Sequence, residues 1–468
     1  MQLTALRHAS ALSAAAAATV LVVAATPSRP PAYDTRWQLL WGEQIASGDI
    51  PDYATGPTAH PLIIALGAIF STAQRVTRLD NDRLADDAIT ALTIFAFFAA
   101  AFAIGLLTSR IAGVFGGAVV AVILLTRPLV VEFAVLAVFD VLFVAMVAWA
   151  VLAAYDRRWM TALILLLAAG LIRPEAWLFS LVVVAVMVRC GESVRAPAAA
   201  LAFAAPVLWA LLDLAVTGDL FHSFIATRDA SAEVGRERGP IDAVLLAPAR
   251  VNRLVGHEIS VLLLVGLALA VFRGRVAART REAVFVLVVS VVAYFLVNSW
   301  GTPINARYLL TPAVLALPLI GMVFRRVAAK PRGAEQYLAV ALLLGLTVMV
   351  GVRAASLRDL FDASRAEARQ AVALHLAIDR LTGCRSVSTN DFFVVVDLAR
   401  RLNLNPAKVG LVDVNGEKRP AVITLAGDGP GQRESIGPIV VTGACTSGGL
   451  GGSGVVWART EPSMRRAP

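Results

Sequence analysis

Charge is scarce in this 468-residue chain: only 16% of its residues are Asp, Glu, Lys or Arg, against about 25% in a soluble globular domain. Cysteine is scarcer still. Cys190, Cys384 and Cys445 are too few for a cysteine metal cluster or a disulfide scaffold. No CxxC or HExxH occurs, and no GxGxxG or P-loop pattern stands between a strand and a helix. No internal repeat is visible, which leaves an inverted-repeat transporter without support. What the chain has instead is apolar residues, 58% of the total, with a mean hydropathy of +0.73. They fall in long uninterrupted blocks, so the chain reads neither as a soluble enzyme nor as a disordered protein. A membrane β-barrel would show weakly alternating strands of about ten residues, not solid blocks. The net charge of +9 does not point to nucleic acid, because in a multi-pass chain the placement of each positive charge matters more than the sum. Arginine far outnumbers lysine and alanine is abundant, the mark of a GC-rich bacterial genome.

At about 20 residues per crossing, apolar blocks at 5–26, 88–108, 111–126, 134–155, 159–172, 176–189, 196–216, 258–272, 283–299, 308–324 and 335–353 predict about eleven crossings. The run Pro61 to Ser71 is too short to span and is expected to lie on the membrane surface. Arg110, Arg157, Arg158, Arg189, Arg195, Arg273, Arg275, Arg279, Arg281, Arg325, Arg326, Lys330 and Arg332 fall in alternate loops, which should therefore face the cytoplasm. The N-terminus is then inside. The first long loop (27–87), a second long loop (217–257) and the C-terminal part are outside. A cleaved signal peptide ending near Ala24 is the alternative reading of the first block.

The segment 159–189 carries two apolar runs of about thirteen residues around Leu171-Ile172-Arg173-Pro174-Glu175-Ala176-Trp177. A single long helix here would invert every later loop and turn the arginine-rich ones outward. The remaining reading is a hairpin of two short helices, each about 20 Å long against ~30 Å of hydrocarbon. Its Arg-Pro-Glu turn would lie at membrane depth, where charge and irregular backbone survive only when buried in protein or lining a wet cavity. The sequence therefore predicts a cavity open to the outer face.

Residues 354–468 differ in kind: 356–383 reads as a helix, and 407–414, 421–425 and 438–442 as strands separated by Gly, Pro and Asn. The expectation is a small α/β domain outside the membrane. Cys384 and Cys445 both belong to it, so a disulfide between them is expected in the oxidising bacterial exterior, with two buried thiols as the alternative. The overall expectation is an all-α polytopic membrane domain over 1–353, followed by this extracytoplasmic α/β domain, in a bacterial plasma membrane.

With that orientation, Asp34, Arg36, Arg127, Glu132, Asp140, Arg173, Glu175 and Arg307 all gather at outer helix ends. An ionisable residue within a span costs roughly 2.5–3.5 kcal/mol on insertion scales, and Asp140 has apolar neighbours on both sides. One reading is structural: Arg173 with Glu175, or Asp140 with an arginine, as ion pairs that lock helices together. The other is a site for a phosphate-bearing lipid, with arginines binding the phosphate and a carboxylate taking a proton from an attacking hydroxyl. In the first outer loop, Tyr33-Asp34-Thr35-Arg36-Trp37-Gln38-Leu39-Leu40-Trp41-Gly42 leads on to Thr58-Ala59-His60-Pro61-Leu62. Trp37 and Trp41 stand at helical spacing, as an interfacial tryptophan belt also would, and His60 has the alternative role of capping the surface helix. The 217–257 loop, with His222, Arg228, Asp229, Arg236 and Arg238, is either a cover for the site or a solvated amphipathic loop.

An Asp directly after the first span, a following Gly and a terminal His-Pro-Leu resemble the GT-C membrane glycosyltransferases, nearest their protein O-mannosyltransferase and aminoarabinose-transferase branch. Asp140 before an apolar, Phe-containing run is similar to that branch, as is Asn305-Ala306-Arg307-Tyr308-Leu309-Leu310-Thr311-Pro312 near a late outer helix end. The likeness covers roughly residues 1–350. It implies transfer of a sugar from a polyprenyl-phosphate donor to an acceptor hydroxyl of a glycan, glycolipid or protein on the outer face, with inversion at the anomeric carbon. Asp34 would be the general base. Arg307, with Arg173, would meet the donor phosphate, Asp140 would shape the cavity, and Arg36, His60, Glu175 and Tyr308 would complete the binding set. No cofactor is implied. The chain departs from the mannosyltransferases at Thr35, where an acidic residue is usual, and a single carboxylate is poor support for a divalent ion, so the acceptor type and a metal requirement stay open. Two rival readings are a lipid or solute transporter, which would need polar residues through the full depth of several spans, and a non-catalytic scaffold whose outer domain binds a partner.

Overall fold

The computed structural model describes residues 2–26, 29–53, 58–77, 83–233, 237–272, 278–328, 345, 348, 350–362, 365, 387–389, 395–401, 409–411, 422–425, 439–442 and 456–458. They divide into two compact units that are not contiguous in sequence: Met1–Ala25, His60–Ile63 and Ala88–Leu360 in the first, Thr26–Ala59, Ile64–Asp87 and Phe361–Pro468 in the second.

The first unit is helical. It holds α1 (Gln2–Ala25), most of α4 (Leu84–Leu125), α5 (Pro128–Val135), α6 (Asp140–Tyr155), α7 (Trp159–Gly170), α8 (Glu175–Arg189), α9 (Ala196–Thr217), α10 (His222–Glu233), α11 (Pro240–Val255), α12 (His257–Phe272), α13 (Ala278–Ser299), a 3-10 turn (Ala306–Leu309) and α14 (Leu310–Ala328). Five described helices are long and apolar enough to cross a membrane. The number rises to seven if two bent pairs, α5 with α6 (109°) and α11 with the first part of α12 (115°), each count as one span. Together these give a multi-pass membrane protein. The apolar blocks of the sequence do not map one to one onto such helices. Blocks 159–172, 176–189 and 258–272 form helices of 12, 15 and 16 residues, short of the ~20 a crossing needs. Block 335–353 lies mostly outside the described residues.

Blocks 88–108 and 111–126 both fall within α4, which is broken at Gly113 (φ 88°, ψ 165°). This backbone region is essentially closed to other residues. A Cβ on Gly105 would lie 3.2 Å from the Gly117 carbonyl oxygen and 3.2 Å from Ala121 Cβ. Positions 105 and 121 are equidistant from 113, so the chain folds back there as two antiparallel helices in close contact. At the turn end of this hairpin Arg110 donates to both oxygens of Asp156 (2.6 and 3.3 Å), and His8 Nε2 lies 3.5 Å from the same carboxylate. Asp156 caps the end of α6 opposite Asp140, about 24 Å away at 1.5 Å per residue. Helix α14 packs against α6, α12 and α13, with Leu310, Val314, Leu317, Leu319 and Ile320 at most 2% exposed.

The second unit contains α2 (Tyr33–Ala46), most of α3 (Pro61–Thr77), a short helix Val395–Arg401 and strands β1 (Val387–Thr389), β2 (Val409–Leu411), β3 (Val422–Leu425), β4 (Ile439–Thr442) and β5 (Val456–Ala458). The strands form one sheet of order β2-β1-β3-β4-β5. β1 runs parallel to β2 and β3, and β3–β4 and β4–β5 are antiparallel. β2, β3 and β4 fall within the strand-like runs of the sequence. The expected helix 356–383 is seen over 356–362, and its later part, like Cys384 and Cys445, lies outside the described residues. The surface helix expected over 61–71 extends to Thr77.

Candidate active site

The short helices α7 and α8 are joined by a tight turn in which Arg173 N donates to the Ala169 carbonyl (2.9 Å). The turn delivers Arg173 into the interior with a side chain 7% exposed. Its Nε donates to both oxygens of Glu175 (3.0 and 3.2 Å), and its Nη1 donates to Asp140 Oδ1. The guanidinium carbon sits 4.1 Å from the centre of the Tyr308 ring and 5.6 Å from that of Phe143. Arg307 reaches the Tyr308 ring as well, at 5.4 Å. The 3-10 turn presents both residues, capped by Asn305, whose side chain accepts from Arg307 N (3.4 Å). Both ion-pair readings of the sequence are therefore realised, on a single arginine. Asp140 Oδ2 is buried and makes no hydrogen bond among the described residues. Arg173 thus holds two carboxylates at once.

His60 belongs to this assembly through the backbone. Its Nδ1 lies 2.6 Å from the Ile172 carbonyl oxygen, and Leu62 N donates to the Leu171 carbonyl (3.1 Å). Two consecutive carbonyls of the turn are thus held by the His-Pro-Leu segment. A carbonyl can only accept, so Nδ1 carries the proton that makes this contact. The ring packs on Phe139 (4.3 Å between centroids), the residue before Asp140. Pro61 between the two contacts removes a backbone donor and presets φ for the start of α3.

Arg127 is held elsewhere. Its Nε donates to the Ile123 carbonyl (3.0 Å), its Nη1 to Glu258 (2.9 Å) and to the Val255 carbonyl, and Glu258 also accepts from Arg353 (2.8 Å). This cluster ties the bend between α11 and α12. Sequence reading missed Glu258 and Arg353 because each is the terminal residue of its apolar block (258–272 and 335–353), where a charge reads as an ordinary helix end. It also missed Asp213, fully buried in α9, which accepts from Ser223 N (2.9 Å) and Ser223 Oγ (2.7 Å) at the start of α10. An acid inside the apolar run 196–216 was the available signal. Much of the 217–257 loop is helical, as α10 and α11, and α11 packs against the 3-10 turn that carries Arg307 and Tyr308.

Asp34 and Arg36 belong to the second unit. Asp34 stands in the first turn of α2, where the helix dipole favours a carboxylate. Trp37 and Trp41 are fully buried, in place of the interfacial belt that was their alternative reading. The Trp41 indole donates to the Asp52 carbonyl (3.1 Å) and packs on Tyr53 (4.9 Å). Gly42 lets α2 meet α3: a Cβ there would lie 2.5 Å from Ala68 N. Arg36 pairs with Asp397. Among the described residues no group of three His, Cys, Asp or Glu side chains is placed to hold a metal ion.

No family model matches the chain, and no curated protein matches its sequence. The structure is similar to ArnT from Cupriavidus metallidurans bound to undecaprenyl phosphate, at 14% identity and a TM-score of 0.57 over 89% of this chain and 92% of that one. It is also similar to ArnT in the apo state, with a TM-score of 0.53 over 89% and 93%. This chain has the GT-C fold. A second GT-C protein, the Archaeoglobus fulgidus oligosaccharyltransferase tethered to an acceptor peptide, aligns at 13% identity and a TM-score of 0.51, over 86% of this chain and 64% of its own length. At such identities the likeness is one of fold. Within the GT-C fold of this chain, the first unit assembles Asp140, Arg173, Glu175, Arg307, Tyr308 and His60 around the α7–α8 turn.

Proposed function

We propose that the protein is an inverting membrane glycosyltransferase that moves a sugar from a polyprenyl-phosphate donor to an acceptor hydroxyl at the outer face of a bacterial plasma membrane, with its N-terminus inside. The observation that carries the reading is a charged, aromatic-lined cluster at the turn of two helices too short to span, in a chain with the GT-C fold. ArnT was solved with undecaprenyl phosphate and the oligosaccharyltransferase with an acceptor peptide, which supports a lipid phosphate donor and a separate acceptor here. The acceptor is a hydroxyl group of a glycan, glycolipid or protein.

In this mechanism Asp34 takes the proton of the acceptor hydroxyl. The oxygen attacks the anomeric carbon as the bond to the phosphate oxygen breaks, and polyprenyl phosphate leaves with its electron pair. A single displacement inverts the anomeric centre. Arg307 meets the charge that grows on the departing phosphate. Arg173 is already committed to Glu175 and Asp140, so its part is to hold Tyr308 and the cluster in place. Arg36, paired to Asp397, is left out of the phosphate-binding set. General base catalysis contributes typically 10²–10⁴-fold. Asp34→Asn, assayed in membranes supplied with lipid-linked sugar, should lose transfer by a factor of that order, and unchanged transfer would remove Asp34 from the mechanism.

A further inference from the structure

The helix Val395–Arg401 places two charged side chains against α2, within the same compact unit. Asp397 pairs with Arg36 in the first turn of α2. Three residues on, Arg400 Nε donates to Glu43 (3.1 and 3.2 Å) near the other end of α2, and Arg400 Nη1 to Asp86 (2.8 Å) at the start of α4. Burial opposes the Arg400 charge, but Asp86 and Glu43 outweigh it and hold the guanidinium more firmly protonated than an ordinary arginine. The helix is anchored by Val396 and Leu398, both fully buried, and Ala399 at 1% exposure.

The two pairs have opposite polarity, and this fixes the direction of docking. With Asp397 on Arg36 and Arg400 on Glu43, the short helix runs parallel to α2. Turned end for end, it would set Asp397 against Glu43 and Arg400 against Arg36, two like-charge contacts in a part-buried seam. The charges also suit the helix itself, with the acid in its first turn and arginines in its last. The far half of α2 is held by other means: the Gly42 contact with α3 and the Trp41 bond to Asp52. Arg36 is the arm of the first turn, two residues from Asp34.

We propose, on the glycosyltransferase reading above, that Asp397 and Arg36 are positioning residues: the Val395–Arg401 helix clamps the first turn of α2 and thereby sets the carboxylate of Asp34. Asp397 touches no reacting atom in this scheme and acts through Arg36. The distal part of the chain is then a working component of the transferase, not an appended module.

The test uses the full chain in membranes supplied in turn with polyprenyl-phosphate mannose, glucose and arabinose, together with hydrogen exchange on α2. In Asp397→Asn, amides 36–42 should exchange at least about tenfold faster. Transfer should fall in kcat by about 10²-fold, the scale of a small misplacement of a reacting group, with KM within about threefold. The swap Arg36→Asp with Asp397→Arg restores the pair in reverse and should recover both protection and kcat. Unchanged exchange at 36–42 overturns the clamp. So does a loss confined to KM, or a swap that recovers neither readout. If the single variant and the swap both fail to fold, the pair is merely structural and the proposal falls. If the wild type transfers no sugar from any donor, the glycosyltransferase reading fails by itself, and exchange at 36–42 still decides the clamp.

Discussion

Replacing Arg173 by methionine is the sharpest test of how the α7–α8 turn is held. The change keeps a long unbranched side chain but strands two carboxylates, Asp140 at 1% and Glu175 at 8% side-chain exposure. Breaking a buried ion pair from one side costs about 3–5 kcal/mol, because the remaining charge is left in low dielectric. The contact with the Tyr308 ring at 4.1 Å is worth roughly 0.5–2 kcal/mol and overlaps with that figure, since the same guanidinium makes every contact. The expected loss is therefore about 3–5 kcal/mol, a factor of roughly 10²–10⁴ in the folded-to-unfolded ratio at 1.4 kcal/mol per decade. Denaturant titration in detergent, followed by tryptophan fluorescence, measures it. The triple change Arg173→Met, Asp140→Asn, Glu175→Gln removes the charges together, and neutral replacement of a whole buried cluster is often close to break-even. It should recover most of the lost stability. A single variant within about 1 kcal/mol of wild type, or a triple variant no more stable than the single one, would refute the account of this cluster as buried charges held by one arginine.

His60→Ala removes the donor to the Ile172 carbonyl, at a buried residue, and should cost about 1–3 kcal/mol in the same titration; stability equal to wild type would mean that the His-Pro-Leu segment does not hold the turn. Gly113→Ala meets no atom within 4 Å, so its whole effect is backbone strain at φ 88°, about 1–3 kcal/mol. A thermal midpoint unchanged from wild type would show that the α4 hairpin does not need this conformation.

The contrast between α7–α8 and α2 shows which features were legible. The two short helices could be read from local sequence, because a run of about thirteen apolar residues has a length that can be compared with a bilayer. The Arg-Pro-Glu between them declares itself by the cost of charge at depth. An interruption near there was legible too, as the gap at 109–110 between two apolar blocks, but neither its place at Gly113, inside the second block, nor the backbone conformation that makes it was. By contrast, nothing local distinguishes Trp37 and Trp41 as buried residues from a membrane-interface belt, since both readings place aromatics at helical spacing. The pairing of Arg36 with Asp397 spans 361 positions and that of His60 with Ile172 spans 112, and no periodicity encodes either. The role of His-Pro-Leu as a brace for the Arg173 turn could not be had from the motif alone.

The sequence by itself determined that this chain belongs in a membrane, roughly where it turns and which charges are too costly to be idle, because transfer free energy depends on composition along a short window. Only the tertiary structure decided which charges meet. It put Arg173 between Asp140 and Glu175, sent Arg127 to Glu258, and set Arg36 on Asp397. Partner choice among buried ions is a contest between non-local geometries, settled by helix packing that closes one set of distances and leaves the others open.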